Sequence, residues 1–376
     1  MAVYGVITVG ENSAYDVVWR RLRKYHDEEL SIQRLMNLHS IPKSQKDNVR
    51  KQAQQISYSL TQAWEFSRAA LNAGSSTKAL LAYYSLTALA NVEILWFGNG
   101  QVSFDQRNSK YNSHGFELIK EKKLLDFKAA PLMTDGILRG LYGLWRLSAK
   151  HMPFHGLVTT EFPTSSTETY RSLSTTEALR DIDHPSNPIS LADCFAHLPG
   201  LYQSIGDHGI DAQLARGRMS RKEKFDPDMK FVQSSTSIAV HPCDHSIRDR
   251  VITNFKFPPC RVPDVVIADA PSGALFTWTD KPPHSKQYIS MPDAYPWTKQ
   301  ESYFVGSGAY LNEFGYFYIG LYITGMITRY HPQMWIRELR TMSHSSSLVD
   351  EFVEHSLSRV PLLTLSNLNE EVIVYA

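Results

Sequence analysis

Residues 57–91, SYSLTQAWEFSRAALNAGSSTKALLAYYSLTALAN, decide the fold class of this 376-residue chain. From about residue 47 onward, apolar side chains recur every three or four residues, which is the period of an amphipathic α-helix. Gly74 and Ser75 interrupt this pattern. The next stretch, 77–97, is apolar on nearly every face, and a helix of that kind is surrounded by other helices. The sequence therefore predicts two consecutive helices, the second of them central.

The remainder of the chain predicts helices towards both ends and short strands between them. Hydrophobic periodicity predicts further helices at 15–38, 114–127, 134–149, 191–205, 310–330, 334–342 and 347–356. Alternating or β-branched runs predict strands at 4–9, 237–240, 264–268, 275–278 and 287–290. The polar stretch 98–112 is expected to be a loop.

These elements predict a mainly helical α+β fold in which the C-terminal helices pack back on a helical bundle. Four regions follow from the order of the elements. They are a strand and helix over 1–46, the bundle over 47–150, a β-rich region with one helix over 151–300, and a helical region over 301–376.

Composition argues against a globally charged or disulfide-stapled protein. Lysine and arginine total 39 against 38 acidic residues, so the formal charge is +1 and any polyanion site must be local. The three cysteines, Cys194, Cys243 and Cys260, are far apart and lack CxxC spacing, which argues against both a disulfide framework and a four-cysteine zinc site. We expect a protein of the reducing cytoplasm.

No membrane segment is expected either. The N-terminal residues lack the basic and apolar regions of a signal peptide. The longest uncharged apolar stretch, 314–328, is shorter than the roughly 20 residues that a membrane helix needs. The sequence predicts that this stretch is a buried core helix.

Several separated segments carry a family resemblance. Residues 57–70, 78–91 and 112–115 resemble the N-terminal half of YaaC-like proteins. Residues 322–335, YITGMITRYHPQMW, are similar to the C-terminal segment of that family, and DCFAHLPGLY at 193–202 resembles its central helix. Membership of this family does not by itself imply an activity.

Residues 50–150 also resemble the HEPN superfamily, whose small helical bundles place a paired-tyrosine helix before an arginine and a histidine four to six residues apart. In RNSKYNSH, residues 107–114, six residues separate Arg107 from His114, and Asn108 follows the arginine. This resemblance implies a metal-independent RNA-cleaving effector of a toxin or antiviral-defence system. It implies Arg107, His114 and Asn108 as the catalytic residues.

The chemistry of such an enzyme needs a base for the ribose 2′-hydroxyl and a cation for the phosphate. His114 and Arg107 fit these roles. If Ser113 caps a following helix, the helix dipole keeps His114 neutral at pH 7. Tyr84, Asn112 and Ser113 are expected to contact the substrate.

Tyr83 and Glu93 are expected to face the same pocket as these residues. The alternative is structural: His114 as a capping group, Arg107 as a solvated loop residue, and the tyrosine pair as packed core.

Two other motifs bear on ligands. The only concentrated basic run, 216–224, contains Arg216, Arg218, Arg221 and Lys222, which we expect to contact a phosphate backbone. HPCDH at 241–245 contains zinc-binding side-chain types, but Pro242 prevents a helical HxxxH face, so no metal site is predicted. Phosphate-binding, dinucleotide-binding and hydrolase motifs are absent from the sequence, and no cofactor is expected.

The HEPN resemblance also implies partners. We expect RNA as the substrate, a homodimer in which the 107–116 segments of two subunits share a cleft, and a partner protein from the same system. The rival hypothesis is a non-catalytic YaaC-like protein that binds a partner or senses a nucleotide.

Overall fold

The structure is a computed structural model. It describes residues 3–9, 14–149, 156–160, 168–173, 184, 186–228, 231–243, 245, 247–249, 266–270, 273–280, 289–291, 294–296, 301–305, 310–369 and 372–375. The described part confirms a mainly helical α+β fold, with helices towards both ends and β-sheets formed largely by the middle of the chain.

The described helices differ greatly in length. They are α1 (Ala14–Leu22), α2 (Glu28–Leu38), α3 (Lys46–Asn72), α4 (Ser75–Phe97), α5 (Gly140–Ser148), α6 (Leu191–Ala196), α7 (Glu313–Tyr330), α8 (Pro332–Arg340) and α9 (His344–Asn369).

The described strands are mostly short. They are β1 (Val3–Val9), β2 (Phe116–Ile119), β3 (Lys128–Pro131), β4 (Met133–Thr134), β5 (Ile137–Leu138), β6 (Gly156–Thr160), β7 (Glu168–Leu173), β8 (Ile189–Ser190), β9 (Leu214–Phe225), β10 (Phe231–His241), β11 (Val266–Ala270), β12 (Gly273–Asp280), β13 (Ile289–Met291), β14 (Ala294–Pro296), β15 (Glu301–Val305) and β16 (Val372–Tyr375).

Four sheets are formed by the described strands. The largest has the order β11-β12-β10-β9-β15-β14 and is antiparallel throughout. A five-stranded sheet has the order β13-β6-β7-β1-β16, in which β1 and β16 pair in parallel and join the two ends of the chain. The small sheets β2-β3-β8 and β4-β5 lie between the long helices in sequence.

The helical core is built from both halves of the chain. The long helices α3, α4, α7 and α9 pack against one another, so the C-terminal helices pack back on the bundle as predicted. Every residue of α7 from Glu313 to Thr328 is buried, which confirms the predicted core helix at 314–328. Among the described residues, one helix, α4, is long and apolar enough to cross a membrane, and 67% of its apolar window is buried inside the protein.

The predictions failed mainly around short elements. The helix predicted over 114–127 is wrong: Phe116–Ile119 is the strand β2, because Gly115 has a φ of +98°, which a helix cannot accommodate. Only Gly140–Ser148 of the helix predicted over 134–149 is helical, and the helix predicted at 191–205 ends at Ala196.

The C-terminal helix is longer than predicted. We expected it to cover 347–356, but α9 extends from His344 to Asn369 and contains Pro361. Leu362, Leu365 and Leu368 are buried in the extension, so apolar packing maintains the helix past the proline.

One buried ion pair links α7 to α9. Arg359 Nε and Nη2 each donate to a carboxylate oxygen of Glu313 at 2.8 Å, and both side chains are almost fully buried. Asn312 caps the same end of α7 by accepting from Gly315 N at 2.8 Å. Because the ion pair is bidentate, it fixes the angle between α7 and α9 as well as their contact.

We expect Arg359→Met to lower the free energy of unfolding by about 3–5 kcal/mol, because Glu313 would keep a buried charge without its partner. Glu313→Gln with Arg359→Met should recover most of that loss, since no uncompensated charge remains. Urea unfolding measures both. Lys46→Met, which breaks the exposed pair between Lys46 and Glu29, is the control and should cost no more than about 1 kcal/mol. If Arg359→Met and Lys46→Met lowered the free energy of unfolding by equal amounts, the structural role assigned to the buried Arg359–Glu313 pair would be contradicted.

Candidate functional site

The backbone around His114 is fixed by contact with the start of α5. Leu141 N donates to Ser113 O at 2.7 Å, and Tyr142 N donates to His114 O at 3.3 Å. These amides belong to the first turn of α5 and have no partner within that helix. The two hydrogen bonds therefore fix the backbone of Ser113 and His114 against the start of α5.

Two glycines permit this contact. Gly115 and Gly140 both have positive φ values, +98° and +69°. A Cβ atom at Gly140 would overlap the backbone of Gly115, and a Cβ atom at Gly115 would lie 2.7 Å from Arg139 O. The two segments thus cross at a separation that only glycine allows.

The His114 side chain is half-buried among aromatic rings. Its Nδ1 atom lies 2.9 Å from Tyr83 Oη, and its ring centroid lies 5.5 Å from that of Tyr83 and 6.1 Å from that of Tyr322. Burial raises the pKa of Tyr83 well above its usual value, so its hydroxyl stays protonated. Tyr83 and Tyr322 therefore orient the imidazole and cover one side of it.

The imidazole of His114 favours its neutral form, but not for the predicted reason. Its pKa is lowered by burial and, to a smaller extent, by the positive charge of Arg329. The strand β2 follows it instead of a helix, so the prediction that Ser113 caps a following helix whose dipole keeps His114 neutral is wrong. Ser113 and Asn112 are exposed instead.

Arg329 supplies a cation that the sequence-based assignment of catalytic residues omitted. It is exposed near the end of α7, its Nη1 atom donates to Tyr84 Oη at 3.1 Å, and its guanidinium lies 5.1 Å from the ring centroid of Tyr330. Tyr84 follows Tyr83 in α4. Tyr83 thus contacts the imidazole of His114, and Tyr84 contacts the guanidinium of Arg329.

Arg107 is engaged elsewhere on α4. Its Nη1 atom donates to Asn91 Oδ1 at 2.9 Å, and its Nε and Nη2 atoms donate to Val102 O at 3.3 and 3.2 Å. Asn91 lies eight residues after Tyr83, about 12 Å along the helix axis. Within the described residues, no hydrogen bond or ring contact joins Arg107 to His114. Burial also lowers the pKa of Arg107.

The remaining predicted site residues fall into separate places. Asn108 accepts from Lys110 N at 3.0 Å and caps the turn Ser109–Tyr111. Glu93 is fully buried and accepts hydrogen bonds from Trp145 at 2.8 Å, from Asn367 at 3.0 Å and from Thr364 at 3.1 Å. It therefore links α4 to α5 and α9.

The basic run is part of the strand β9 and not of the His114 cluster. Arg216 forms an ion pair with Glu301 at 2.5 Å, whereas Arg218 and Lys222 are exposed. The side chain of Arg221 lies outside the described residues. In the described part of the chain, no hydrogen bond, ion pair or ring contact connects β9 with His114.

No metal centre is evident in the part of the chain that the structure describes, where no three histidine, cysteine, aspartate or glutamate side chains form a suitable group. Asp244, one of the residues of the HPCDH motif, lies outside the described residues. Cys194 is buried, and burial raises the pKa of its thiol well above the ordinary value, so it is not a reactive thiolate.

Comparison with known families gives a match over most of the chain. The model of the family described as YaaC-like Protein matches residues 24–368, which is most of the chain and includes His114, α4 and Arg329. No curated protein and no solved structure shows a significant match.

The proximity of Arg329 to His114 predicts a titration effect. Arg329→Gln removes a positive charge, so the pKa of His114 should rise towards the ordinary value of about 6.5. Nuclear magnetic resonance titration of the imidazole, assigned by its loss in His114→Ala, measures this shift. Arg340→Gln removes an exposed charge from the end of α8 and should leave the His114 titration unchanged. An unchanged His114 titration in Arg329→Gln would contradict the proximity.

Proposed function

We propose that this chain, which belongs to the YaaC-like family, is a metal-independent RNA-cleaving enzyme whose site is formed by His114 and Arg329. The observation that carries the proposal is a neutral imidazole held by Tyr83 at 2.9 Å, with a tyrosine-bound guanidinium close enough to lower its pKa. A base beside a cation is the minimum that this chemistry requires.

The proton transfer begins at His114. In the tautomer whose Nδ1–H donates to Tyr83 Oη, the Nε2 atom carries the lone pair and accepts the proton of a ribose 2′-hydroxyl. The 2′-oxygen then forms a bond to the adjacent phosphorus, and the bond from phosphorus to the 5′-oxygen breaks. The leaving oxygen takes up a proton from the imidazolium. The products are a 2′,3′-cyclic phosphate and a 5′-hydroxyl.

Arg329 acts on the phosphate. Negative charge grows on the non-bridging oxygens as the 2′-oxygen attacks, and a fixed guanidinium stabilises that charge. The bond to Tyr84 Oη and the stacking on Tyr330 restrict the side chain, although it is exposed at the end of α7. Arg107 is a positioning residue in this proposal, because protein acceptors already occupy its guanidinium.

Biologically, the proposal corresponds to an HEPN-like toxin or antiviral-defence effector of the cytoplasm, regulated by a partner protein of the same system. A homodimer that joins two 107–116 segments would place two sites near a shared cleft, and the exposure of Asn112 and Ser113 supports a contact there. Mass measurement in solution tests this part, and a strict monomer at micromolar concentration would argue against it.

The rival function is a non-catalytic protein that binds a partner or senses a nucleotide. The observation that favours it is the engagement of Arg107 by Asn91 and Val102, which gives the best-fitting HEPN-like arginine a structural role.

Cleavage of total RNA by the purified protein should persist in the presence of a chelator, because no metal takes part. His114→Ala and Arg329→Ala should each lower the rate by about a hundredfold or more, the scale for loss of a general base or of an oxyanion-stabilising group. Gel analysis with chemical mapping of the RNA ends measures both the rate and the products. His245→Ala, a change at an exposed histidine of the HPCDH motif, is the matched control and should have no effect.

Arg107→Ala should lower cleavage less than about tenfold at temperatures where the variant is folded. A hundredfold loss with an unchanged melting temperature would instead restore Arg107 as the catalytic cation. Full cleavage by His114→Ala would overturn the assignment of His114 as the base, and no cleavage by the unmodified protein would favour the binding protein.

A further inference from the structure

A groove of about 590 Å³ lies between the segment that follows β2 and the junction of α7 with α8. The residues that give it its chemical character are Lys120, Glu121, Lys122, Tyr330, His331 and Arg337. Tyr330 also contacts the guanidinium of Arg329 at the His114 site, whereas the other five residues lie outside that site. The basic run of β9 does not contribute to the groove.

The groove is strongly cationic in a protein that is nearly neutral. Lys120, Lys122 and Arg337 are exposed, and within the described residues their side chains form no hydrogen bond or ion pair. Three cations against the single carboxylate of Glu121 give a formal charge of +2, compared with +1 for the whole chain. Glu121 is itself paired with Lys128 at 3.8 Å. The groove therefore attracts anions.

The start of α8 adds to this preference. His331 precedes the helix and Pro332 is its first residue, so the positive end of the helix dipole lies at the groove. Several phosphates spaced along a chain would use the cations better than a single small anion, because Lys120 and Lys122 lie on one segment and Arg337 lies on another.

An exposed aromatic ring distinguishes nucleic acid from simple polyphosphate. Tyr330 is 59% exposed and lies in the groove beside the cations. Proteins that bind single strands combine a basic groove for the backbone with exposed aromatic rings on which bases stack. Tyr316 and Tyr318 of the same helix are buried and contribute to the core, but Tyr330 is not buried and has no such packing role.

The groove is continuous with the His114 site along two chain segments. On one side β2, which is about 13 Å long, starts two residues after His114 and ends directly before Lys120. On the other side Arg329 and Tyr330 are adjacent, with one facing Tyr84 and the other lining the groove.

We infer that this groove binds the backbone of a single-stranded RNA through Lys120, Lys122 and Arg337, stacks a base on Tyr330, and directs the strand to His114 and Arg329. The inference rests on the proposed function for its second half. Binding to the groove can nevertheless be measured without any cleavage.

The probe is a fluorescent single-stranded RNA with 2′-O-methyl groups, which binds but lacks the attacking hydroxyl. Fluorescence anisotropy of the unmodified protein and of Lys120→Gln/Lys122→Gln/Arg337→Gln is measured over a series of salt concentrations. We expect the triple variant to bind at least about tenfold more weakly at low salt. The slope of log affinity against log salt should fall by about 2, which is three phosphate contacts at roughly 0.7 each.

Two controls define the site. Arg20→Gln/Lys24→Gln/Lys43→Gln removes the same charge from exposed positions in the N-terminal helical segment and should keep both the affinity and the slope. Tyr330→Ala should weaken binding by about tenfold with an unchanged salt slope, because stacking releases no counterions. An equal loss in both triple variants would overturn the inference in favour of non-specific attraction.

Competition separates RNA from other anions. If inorganic tripolyphosphate displaces the probe at equal concentration, and Tyr330→Ala binds the probe with unchanged affinity, the groove is a polyphosphate site. That result would overturn the inference. Displacement by polyglutamate under the same conditions would identify a site for acidic protein segments.

The two proposals fail in different ways. If the groove variant loses RNA binding but the unmodified protein does not cleave RNA, the inference about the groove stands and the proposed catalytic function is rejected. If cleavage depends on His114 but the groove variant binds RNA with unaltered affinity, only the inference about the groove is rejected.

Discussion

The close approach of two buried helices, α4 and α7, is the constraint on which the candidate site depends. A Cβ atom at Gly325 of α7 would lie 3.1 Å from Tyr83 Cβ, which is tighter than ordinary packing, so the absence of a side chain at this position lets Tyr83 remain between the helices. The fixed ring places the hydroxyl that contacts His114. One turn beyond Gly325, the same helix brings Arg329 to Tyr84. A single helix contact therefore positions both members of the site.

The long helices were predictable because their periodicity is local. The apolar pattern of 47–97 and the uncharged stretch 314–328 each contain enough residues to specify a buried face, and the structure contains helices at both places. The short elements were not predictable in the same way. The sequence predicts a helix over 114–127, whereas Gly115 has a positive φ and lies against Gly140, a residue 25 positions later that no local pattern indicates. Pro361 similarly marks an end to α9 in sequence, but apolar packing on both sides maintains the helix.

The candidate site shows the same limit. The sequence singles out His114 because its neighbours match a known spacing, but the helix dipole predicted to keep it neutral is replaced in the structure by burial and a nearby guanidinium, which lower its pKa. Arg329 stands in a segment that the sequence had already marked as a family motif, yet its proximity to His114 arises only when α7 packs on α4. The three-dimensional pairing of two segments about 200 residues apart is information that a single sequence lacks.

During biosynthesis, the division of the candidate site between two distant segments delays its assembly. Arg329 is added to the nascent chain 215 residues after His114, the difference between 329 and 114. At translation rates of about 5–20 residues per second, the delay is roughly 10 to 40 seconds. During that interval Tyr83 lacks the covering α7, and the imidazole has no guanidinium beside it. An unfinished chain attached to the ribosome therefore carries an incomplete candidate site, which is assembled only after the C-terminal helices have been made and packed.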